Sequence, residues 1–301
     1  EHWAATTPDA VFLAERDAAA ADGWRRLSYA ETRRLVGRIA QTLLNWGLPD
    51  RAPVVVLSDN SVDHALLLLA AMHVGRPVCT ISSAYSRLTK DYSKVRGMLD
   101  ALQPALVYAS DAAVYGPALD GWSGQALRVF GRGADTVPGA WSFTDLLATR
   151  ETPAVLATYH GVRPDDHAKY LLTSGSTGLP KAVINTHRML TANQQQIAQV
   201  WPFLNRHRLN LLEWLPWSHT FGANHNFNMV LAHGGSLAID EGRPAPGAIE
   251  KTVKNLREVR PNFYFNVPRG FDMLLPYLEQ DEGFARDFFE RLEGVFYAGA
   301  A

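Results

Sequence analysis

The segment TSGSTGLPKAV at residues 173–183 concentrates hydroxyl groups, two glycines and one lysine. Gly175 and Gly178 permit positive φ angles and close backbone approach, so that several N–H groups can converge on one anion. Hydroxyl donors come from Ser174, Ser176 and Thr177, and Lys181 adds a mobile positive charge. A loop of this composition suits a polyphosphate.

Three well-known motifs do not fit this loop. A Walker A loop needs Gly-Lys-Ser/Thr followed by a helix, whereas Lys181 here stands between Pro180 and Ala182 and leads into β-branched residues. A nucleophile elbow needs one more spacer than residues 175–178 provide, and a dinucleotide fingerprint also fails. An ordinary polar hairpin turn stays open, because Gly, Ser, Thr and Pro are common turn residues. The pattern predicts a glycine-rich loop in a strand-loop-strand hairpin.

The string Ser-Gly-Ser-Thr-Gly-x-Pro-Lys closely resembles the phosphate-loop signature of the adenylate-forming superfamily, which includes acyl-CoA synthetases, adenylation domains of peptide synthetases and luciferases. Residues 215–244, 261–274 and 297–301 are similar, in family order, to its second core region, its acyl-pocket segment and the start of its adenine-holding loop. The wording of 215–244 looks most like the feruloyl-CoA synthase branch. Ala182 replaces a glycine of many members, a small change.

The resemblance implies a reaction in two steps. ATP, with Mg²⁺ on its phosphates, activates an aromatic acid such as ferulate to acyl-AMP, and CoA then takes the acyl group as a thioester. Lys181, His219 and Thr177 are the implied catalytic residues, and Thr177 is the candidate nearest the metal. The implied cofactor-binding residues are Thr173, Ser174, Gly175, Ser176, Thr177, Gly178, Lys181, Gly299, Ala300 and Ala301.

Three histidines follow the loop, but their spacing does not indicate a zinc site. His219, His225 and His233 match neither H-E-x-x-H nor an H-x-x-x-H pair, and no cysteine lies near them in the sequence. We therefore expect ordinary surface or hydrogen-bonded core roles for His225 and His233. His219 differs because it follows a predicted strand, where parallel α/β sheets tend to bind ligands, and its family counterpart stands beside the acyl carboxylate.

The resemblance places an acyl pocket around His219. Asn224 and Asn228 would share one face of a helix and could orient a phenolic hydroxyl, although a plain helix-cap role for Asn224 is an equal alternative. Trp214, Trp217 and Phe227 are expected in the core rather than in the pocket. The implied pocket residues are His219, Phe221, Gly222, Asn224, Asn266, Val267 and Pro268.

Short apolar runs alternate with helical patterns along most of the chain. A helix is expected to begin at Ser28, with Glu31 completing a capping box, and to end near Gly47. This alternation predicts an α/β fold with two lobes of mostly parallel sheet, at 50–200 and at 1–49 plus 201–301. Strands are predicted at 53–58, 77–81, 105–110, 127–130, 169–174, 210–215, 236–240, 262–266 and 294–299.

The composition excludes several classes of protein. Lys and Arg total 29 against 30 Asp and Glu, so nucleic acid is not expected as a partner. The longest apolar stretches are far below the roughly 18 residues of a membrane span. Cys79 is the single cysteine, which fits a reducing, cytoplasmic compartment. The sequence does not specify an oligomeric state.

Both ends suggest part of a longer protein. The chain opens on EHWAATTPDA without an initiating Met and stops where a strand enters a turn. We therefore expect a partial N-terminal AMP-binding domain whose C-terminal domain, with the family's adenylation lysine, is absent, and no turnover by this chain alone. Two alternatives are activation of an acid for a carrier-protein thiol and a non-catalytic nucleotide-binding relic.

Overall fold

A computed structural model describes residues 1–173 and 180–299. The chain divides into two compact units. The first comprises Glu1–Glu31 and Asn193–Ala301, and the second comprises Thr32–Ala192. The lobe limits predicted from the sequence lie somewhat further along the chain, at 49/50 and 200/201.

The elements within the described residues alternate as the sequence predicts. The strands are β1 Val11–Arg16, β2 Trp24–Ser28, β3 Val54–Leu57, β4 Val78–Ile81, β5 Leu106–Ala109, β6 Leu127–Phe130, β7 Trp141–Ser142, β8 His167–Thr173, β9 Lys181–Thr186, β10 Asn210–Glu213, β11 Ser236–Ile239, β12 Phe263–Asn266 and β13 Gly294–Tyr297. The α-helices are α1 His2–Thr6, α2 Tyr29–Asn45, α3 Val62–His73, α4 Ala84–Arg87, α5 Ser93–Leu102, α6 Ala112–Leu119, α7 Phe143–Leu146, α8 Pro153–Gly161, α9 His187–Val200, α10 Asn228–His233, α11 Ile249–Val259, α12 Pro268–Gln280 and α13 Glu282–Glu290. Short 3₁₀ turns lie at Ala134–Thr136 and Pro202–Asn205, and a π-helix covers Phe221–Phe227.

Every strand predicted above is present within a few residues. The predicted helix is α2, and its capping box is formed: the Ser28 hydroxyl accepts from the Glu31 N–H at 3.1 Å, and the Glu31 carboxylate accepts from the Ser28 N–H at 3.0 Å. The antiparallel pair β1–β2 was not among the predicted strands, because its polar positions break the apolar run that indicates a buried strand. No helix among the described residues is both long and apolar enough to cross a membrane.

The second unit is built on a seven-stranded sheet in the order β7-β6-β5-β3-β4-β8-β9. All neighbours are parallel except β8 and β9 at one edge. The strands β3, β4 and β5 are buried throughout, which explains why the sequence shows them as unbroken apolar runs. Burial of these runs positions the hairpin that carries the glycine-rich loop.

The first unit has two smaller sheets. One has the order β10-β11-β1-β2, with β10, β11 and β1 parallel, and the other pairs β12 with β13 in parallel. Helices α11, α12 and α13 supply an apolar core around Leu256, Leu274 and Phe284, all at most 1% exposed. This arrangement fixes the carboxyl ends of β10, β12 and β13, where the candidate site lies.

We expect the second unit to become less stable in acid, because His64 of α3 is buried. Its Nε2 lies 2.9 Å from the Thr80 hydroxyl, and burial lowers the pKa of His64 from 6.5 to about 3. The unfolded chain binds a proton below pH 6.5 that the folded unit excludes, so the free energy of unfolding falls as the pH falls from 6.5 towards about 3. One such proton contributes a slope of about 1.4 kcal/mol per pH unit. Urea unfolding of His64→Gln at several pH values should show a slope smaller by this amount.

The exposed His160 provides the control for this measurement. His160→Gln should keep the pH slope of the parent chain, because an exposed imidazole keeps its water contacts in both states. Equal slopes for His64→Gln and the parent chain would contradict the prediction.

Candidate functional site

The glycine-rich loop joins β8 to β9, as the sequence predicts. Thr173 and Lys181 are the last paired residues before the loop, and the Thr173 hydroxyl donates to the Lys181 carbonyl at 3.4 Å. Both side chains are exposed. The predicted phosphate-binding residues Ser174, Gly175, Ser176, Thr177 and Gly178, and the adenine-loop residues Ala300 and Ala301, lie outside the described residues.

The predicted acyl-pocket residues gather at the carboxyl ends of three strands of the first unit. His219 and Phe221 lie in the connection after β10, Val267 follows β12, and Gly299 follows β13. Gly299 adopts a φ of 106°, and a Cβ there would lie 3.6 Å from the Val267 side chain. Carboxyl ends of parallel strands are the usual place for ligands in α/β sheets. The first unit therefore places the predicted pocket segments at the carboxyl ends of β10, β12 and β13.

The connection after β10 is a tight turn that leads into the π-helix. His219 is exposed, and its carbonyl accepts from the Ala223 N–H at 3.0 Å. A Cβ on Gly222 would lie 2.4 Å from the Leu215 carbonyl oxygen, so only glycine fits this turn without a backbone shift. Asn224 lies inside the π-helix and caps no helix, so its alternative helix-cap role is wrong.

Asn266 is 1% exposed, and its side chain is held by internal hydrogen bonds. Its Oδ1 accepts from Trp214 Nε1 at 3.1 Å and from the Val267 N–H at 2.9 Å, and its Nδ2 donates to the Tyr264 hydroxyl at 2.9 Å. This bonding fixes the turn from β12 into α12, where Pro268 is the first helical residue. Asn266 therefore positions Val267 and Trp214.

Five rings form what we call the aromatic wall: Trp201, Phe221, His225, Phe265 and Phe296. The imidazole of His225 stacks on Phe296 with ring centroids 5.7 Å apart and an interplanar angle of 18°. The rings of Phe221 and Phe265 meet His225 edge-on at 5.7 and 5.5 Å. Trp201 lies 5.6 Å from Phe296. Edge-to-face and offset contacts of this kind are the favoured geometries of packed rings.

Sequence reasoning singled out only Phe221 of this wall. Phe265 and Phe296 are register partners on β12 and β13, and this pairing puts two distant aromatic residues side by side. The core assignment of Trp217 and Phe227 is confirmed, since each is 1% exposed, whereas Trp214 is half-buried. The alternation of Phe263 and Phe265 in β12 is a sequence signal that could have indicated Phe265, whereas β13 has a single Phe next to Tyr297 and gives no such signal.

A buried polar group lies behind the wall. The Nδ1 of His225 is 2.7 Å from Oδ1 of Asn226, which is fully buried. Burial lowers the pKa of His225, and the bond to Asn226 opposes this effect. Burial also raises the pKa of the Glu213 carboxyl, at the end of β10, well above its ordinary value, against hydrogen bonds from Asn226 and Trp217. Burial therefore favours the uncharged forms of both His225 and Glu213.

The described residues contain no cluster of three or more His, Cys, Asp or Glu side chains that could hold a metal ion. A Mg²⁺ ion is commonly held by substrate phosphates with one or two protein oxygens, and such binding needs no cluster of this kind. The hydroxyl-rich hairpin loop, rather than a protein cage, fits that mode of binding.

This chain matches one family model and is similar in sequence to several CoA ligases. Residues 1–301 match the family model described as AMP-binding enzyme. A 4-chlorobenzoate–CoA ligase from Arthrobacter sp is 27% identical over 304 residues, covering 99% of this chain and 52% of the relative. A 4-coumarate–CoA ligase 2 from Oryza sativa subsp. japonica is 30% identical over 251 residues, covering 78% and 42% respectively. The long-chain-fatty-acid–CoA ligase heimdall of Drosophila melanogaster is 26% identical over 89% of this chain and 40% of its own length.

Solved structures show the same fold. ATP-bound MatB from Rhodopseudomonas palustris superposes with a TM-score of 0.72 at 21% identity, over 99% of this chain and 54% of that one. The O-succinylbenzoate coenzyme A synthetase of Bacillus subtilis, in complex with AMP, gives 0.72 at 16% identity, over 99% and 53%. These likenesses confirm the predicted α/β fold. The chain spans about half the length of the curated relatives that it matches.

Proposed function

Because this chain belongs to the AMP-binding enzyme family, we propose that it carries the acid-binding and phosphate-binding parts of an aryl acid–CoA ligase. The substrate class is an aromatic carboxylic acid, with hydroxycinnamates such as ferulate as the leading candidates. The aromatic wall carries this proposal, because an aromatic acid needs flat apolar sides and few polar groups. Relatives named for 4-chlorobenzoate and 4-coumarate support the same class.

The proposed reaction has two steps, and the leaving group is pyrophosphate in the first and AMP in the second. A carboxylate oxygen attacks the α-phosphorus of ATP, and the bond to pyrophosphate breaks to give acyl-AMP. The thiol of CoA then attacks the acyl carbon, loses its proton, and displaces AMP. Both steps depend on positioning and charge neutralisation.

The proposed roles follow from where the residues lie. Lys181, at the exit of the hairpin loop, neutralises phosphate charge, and the hydroxyls from Thr173 to Thr177 donate to phosphate oxygens. His219 is exposed in the connection after β10, two residues before Phe221 of the aromatic wall. It donates to the acyl carboxylate through an imidazole N–H. Val267 and Gly299 border the bound acid. A Mg²⁺ ion would reduce the charge of the bound phosphates, with Thr177 as the nearest proposed oxygen.

Acid-dependent exchange of pyrophosphate into ATP, measured on the complete protein, tests this proposal. Aromatic acids should support exchange at least about 10-fold better than fatty acids or amino acids, since only they fill a flat pocket. A preference for fatty or amino acids would contradict the aryl assignment. Release of acyl-CoA when CoA is added separates the ligase from an enzyme that loads a carrier-protein thiol, which would show exchange but no CoA thioester.

A further inference from the structure

The buried group behind the aromatic wall has no part in the reaction proposed above. Glu213 is 2% exposed, and among the described residues its two carboxyl oxygens lack a hydrogen-bond partner of good geometry. An unsatisfied buried carboxyl costs about 1–3 kcal/mol, so its presence at the edge of the site calls for a use.

Asn226 connects this carboxyl to the wall. Its Nδ2 has no hydrogen-bond partner of good geometry among the described residues, and its amide oxygen Oδ1 is the atom that faces His225. That oxygen lies 2.7 Å from Nδ1 of His225. An amide oxygen can only accept a hydrogen bond, so the proton between them belongs to Nδ1 of His225.

We infer that Asn226 is a positioning residue that holds His225 with its proton on Nδ1, so that Nε2 accepts a hydrogen bond from a phenolic hydroxyl of the substrate. The inference rests on the proposed function and narrows its substrate class to hydroxylated aromatic acids. His225 would then be the polar group that reads the ring substituent, and the other rings of the wall would supply its flat sides.

Three observations support this assignment. The ring of His225 is only half-buried, and no described residue forms a hydrogen bond with its Nε2. Stacking on Phe296 and edge contacts with Phe221 and Phe265 prevent the ring from turning over. In a neutral imidazole whose one nitrogen donates a hydrogen bond, the other nitrogen carries a lone pair. This nitrogen accepts a hydrogen bond from a donor group and does not bind an anion.

Nuclear magnetic resonance of the chain labelled with ¹⁵N-histidine tests the tautomer without any ligand. We expect His225, identified by its loss in His225→Phe, to show a protonated Nδ1 and an unprotonated Nε2. Asn226→Ala should let the two tautomers exchange and average their signals, whereas Asn205→Ala, at an exposed position, should leave them unchanged. A proton on Nε2 in the parent chain would overturn the inference, and that result does not depend on whether a variant folds.

A second measurement tests the substrate class on the complete protein. We expect the KM for a 4-hydroxycinnamate to be about 10-fold lower than for cinnamate, because a site with an unpaired acceptor discriminates against the ring without a donor. His225→Phe and Asn226→Ala should reduce this ratio to about threefold or less, and Asn205→Ala, at an exposed position of the same unit, should keep it.

The two failures are distinguishable. Failure of every aromatic acid to support exchange contradicts the proposed function, whereas equal use of cinnamate and 4-hydroxycinnamate contradicts only the role of His225. A preserved hydroxyl preference in both His225→Phe and Asn226→Ala would likewise overturn the inference.

Discussion

A Lys181→Met variant of the complete protein is expected to exchange pyrophosphate into ATP about 100-fold more slowly than the parent. Lys181 stands at the exit of the glycine-rich loop, opposite Thr173 in the hairpin. In the proposed function its ammonium group is the positive charge that the loop offers to a polyphosphate, so removing it would leave developing charge without a partner. The measurement is kcat/KM for ATP in the exchange assay with a saturating aromatic acid.

Thermal unfolding separates this effect from misfolding. Lys181 is exposed, so its replacement should leave the melting temperature within error of the parent. Lys251→Met, an equally exposed lysine on α11, provides the matched control and should exchange at the parent rate. An exchange rate for Lys181→Met within threefold of the parent would show that Lys181 does not act on the phosphates.

The second large effect is on stability, at the carboxyl end of β11. Replacing Asp240 with alanine should destabilise the first unit by about 3–5 kcal/mol. This carboxylate is 6% exposed and accepts from the Gly242 N–H at 2.9 Å, the Thr252 hydroxyl at 2.6 Å and Asn255 Nδ2 at 2.7 Å. Three donors would lose their partner in the buried space between β11 and α11.

Amide hydrogen exchange of the peptides that contain β11 and α11 measures this loss in the unit concerned, which matters because a chain of two units does not unfold in one step. Glu241→Ala, at the exposed next position, should change the free energy of opening by less than about 0.5 kcal/mol. If Asp240→Ala opened no more readily than Glu241→Ala, the network around Asp240 would have no role in stability.

Much of the fold can be predicted from the sequence because its signals are local. The apolar runs of β3, β4 and β5 are fully buried strands, and the Ser28–Glu31 capping box begins α2 at Tyr29. The same holds for the hairpin at Thr173 and Lys181, since β-branched residues after the loop indicate a strand. Where local polarity was mixed, as in β1 and β2, the prediction missed the strands.

The candidate site was predictable only in part. The position of His219 after a strand predicts that it lies near a ligand, and the structure places it, exposed, in the connection after β10. The role of Asn266 was not predictable, because the sequence does not show whether an asparagine amide contacts a substrate or other residues of the protein. In the structure its side chain forms hydrogen bonds with Trp214, Val267 and Tyr264. Hydrogen-bond partners are decided by packing.

The sequence by itself determined the α/β class and the hairpin that carries the glycine-rich loop, because apolar periodicity and β-branched content act over a few neighbouring residues. Only the tertiary structure decided which side chains form the aromatic wall. Phe265 and Phe296 meet through the register of β12 with β13, and the turn after β10 brings His225 against both rings. Strand register and turn geometry depend on burial across the whole unit, which no short segment of sequence contains.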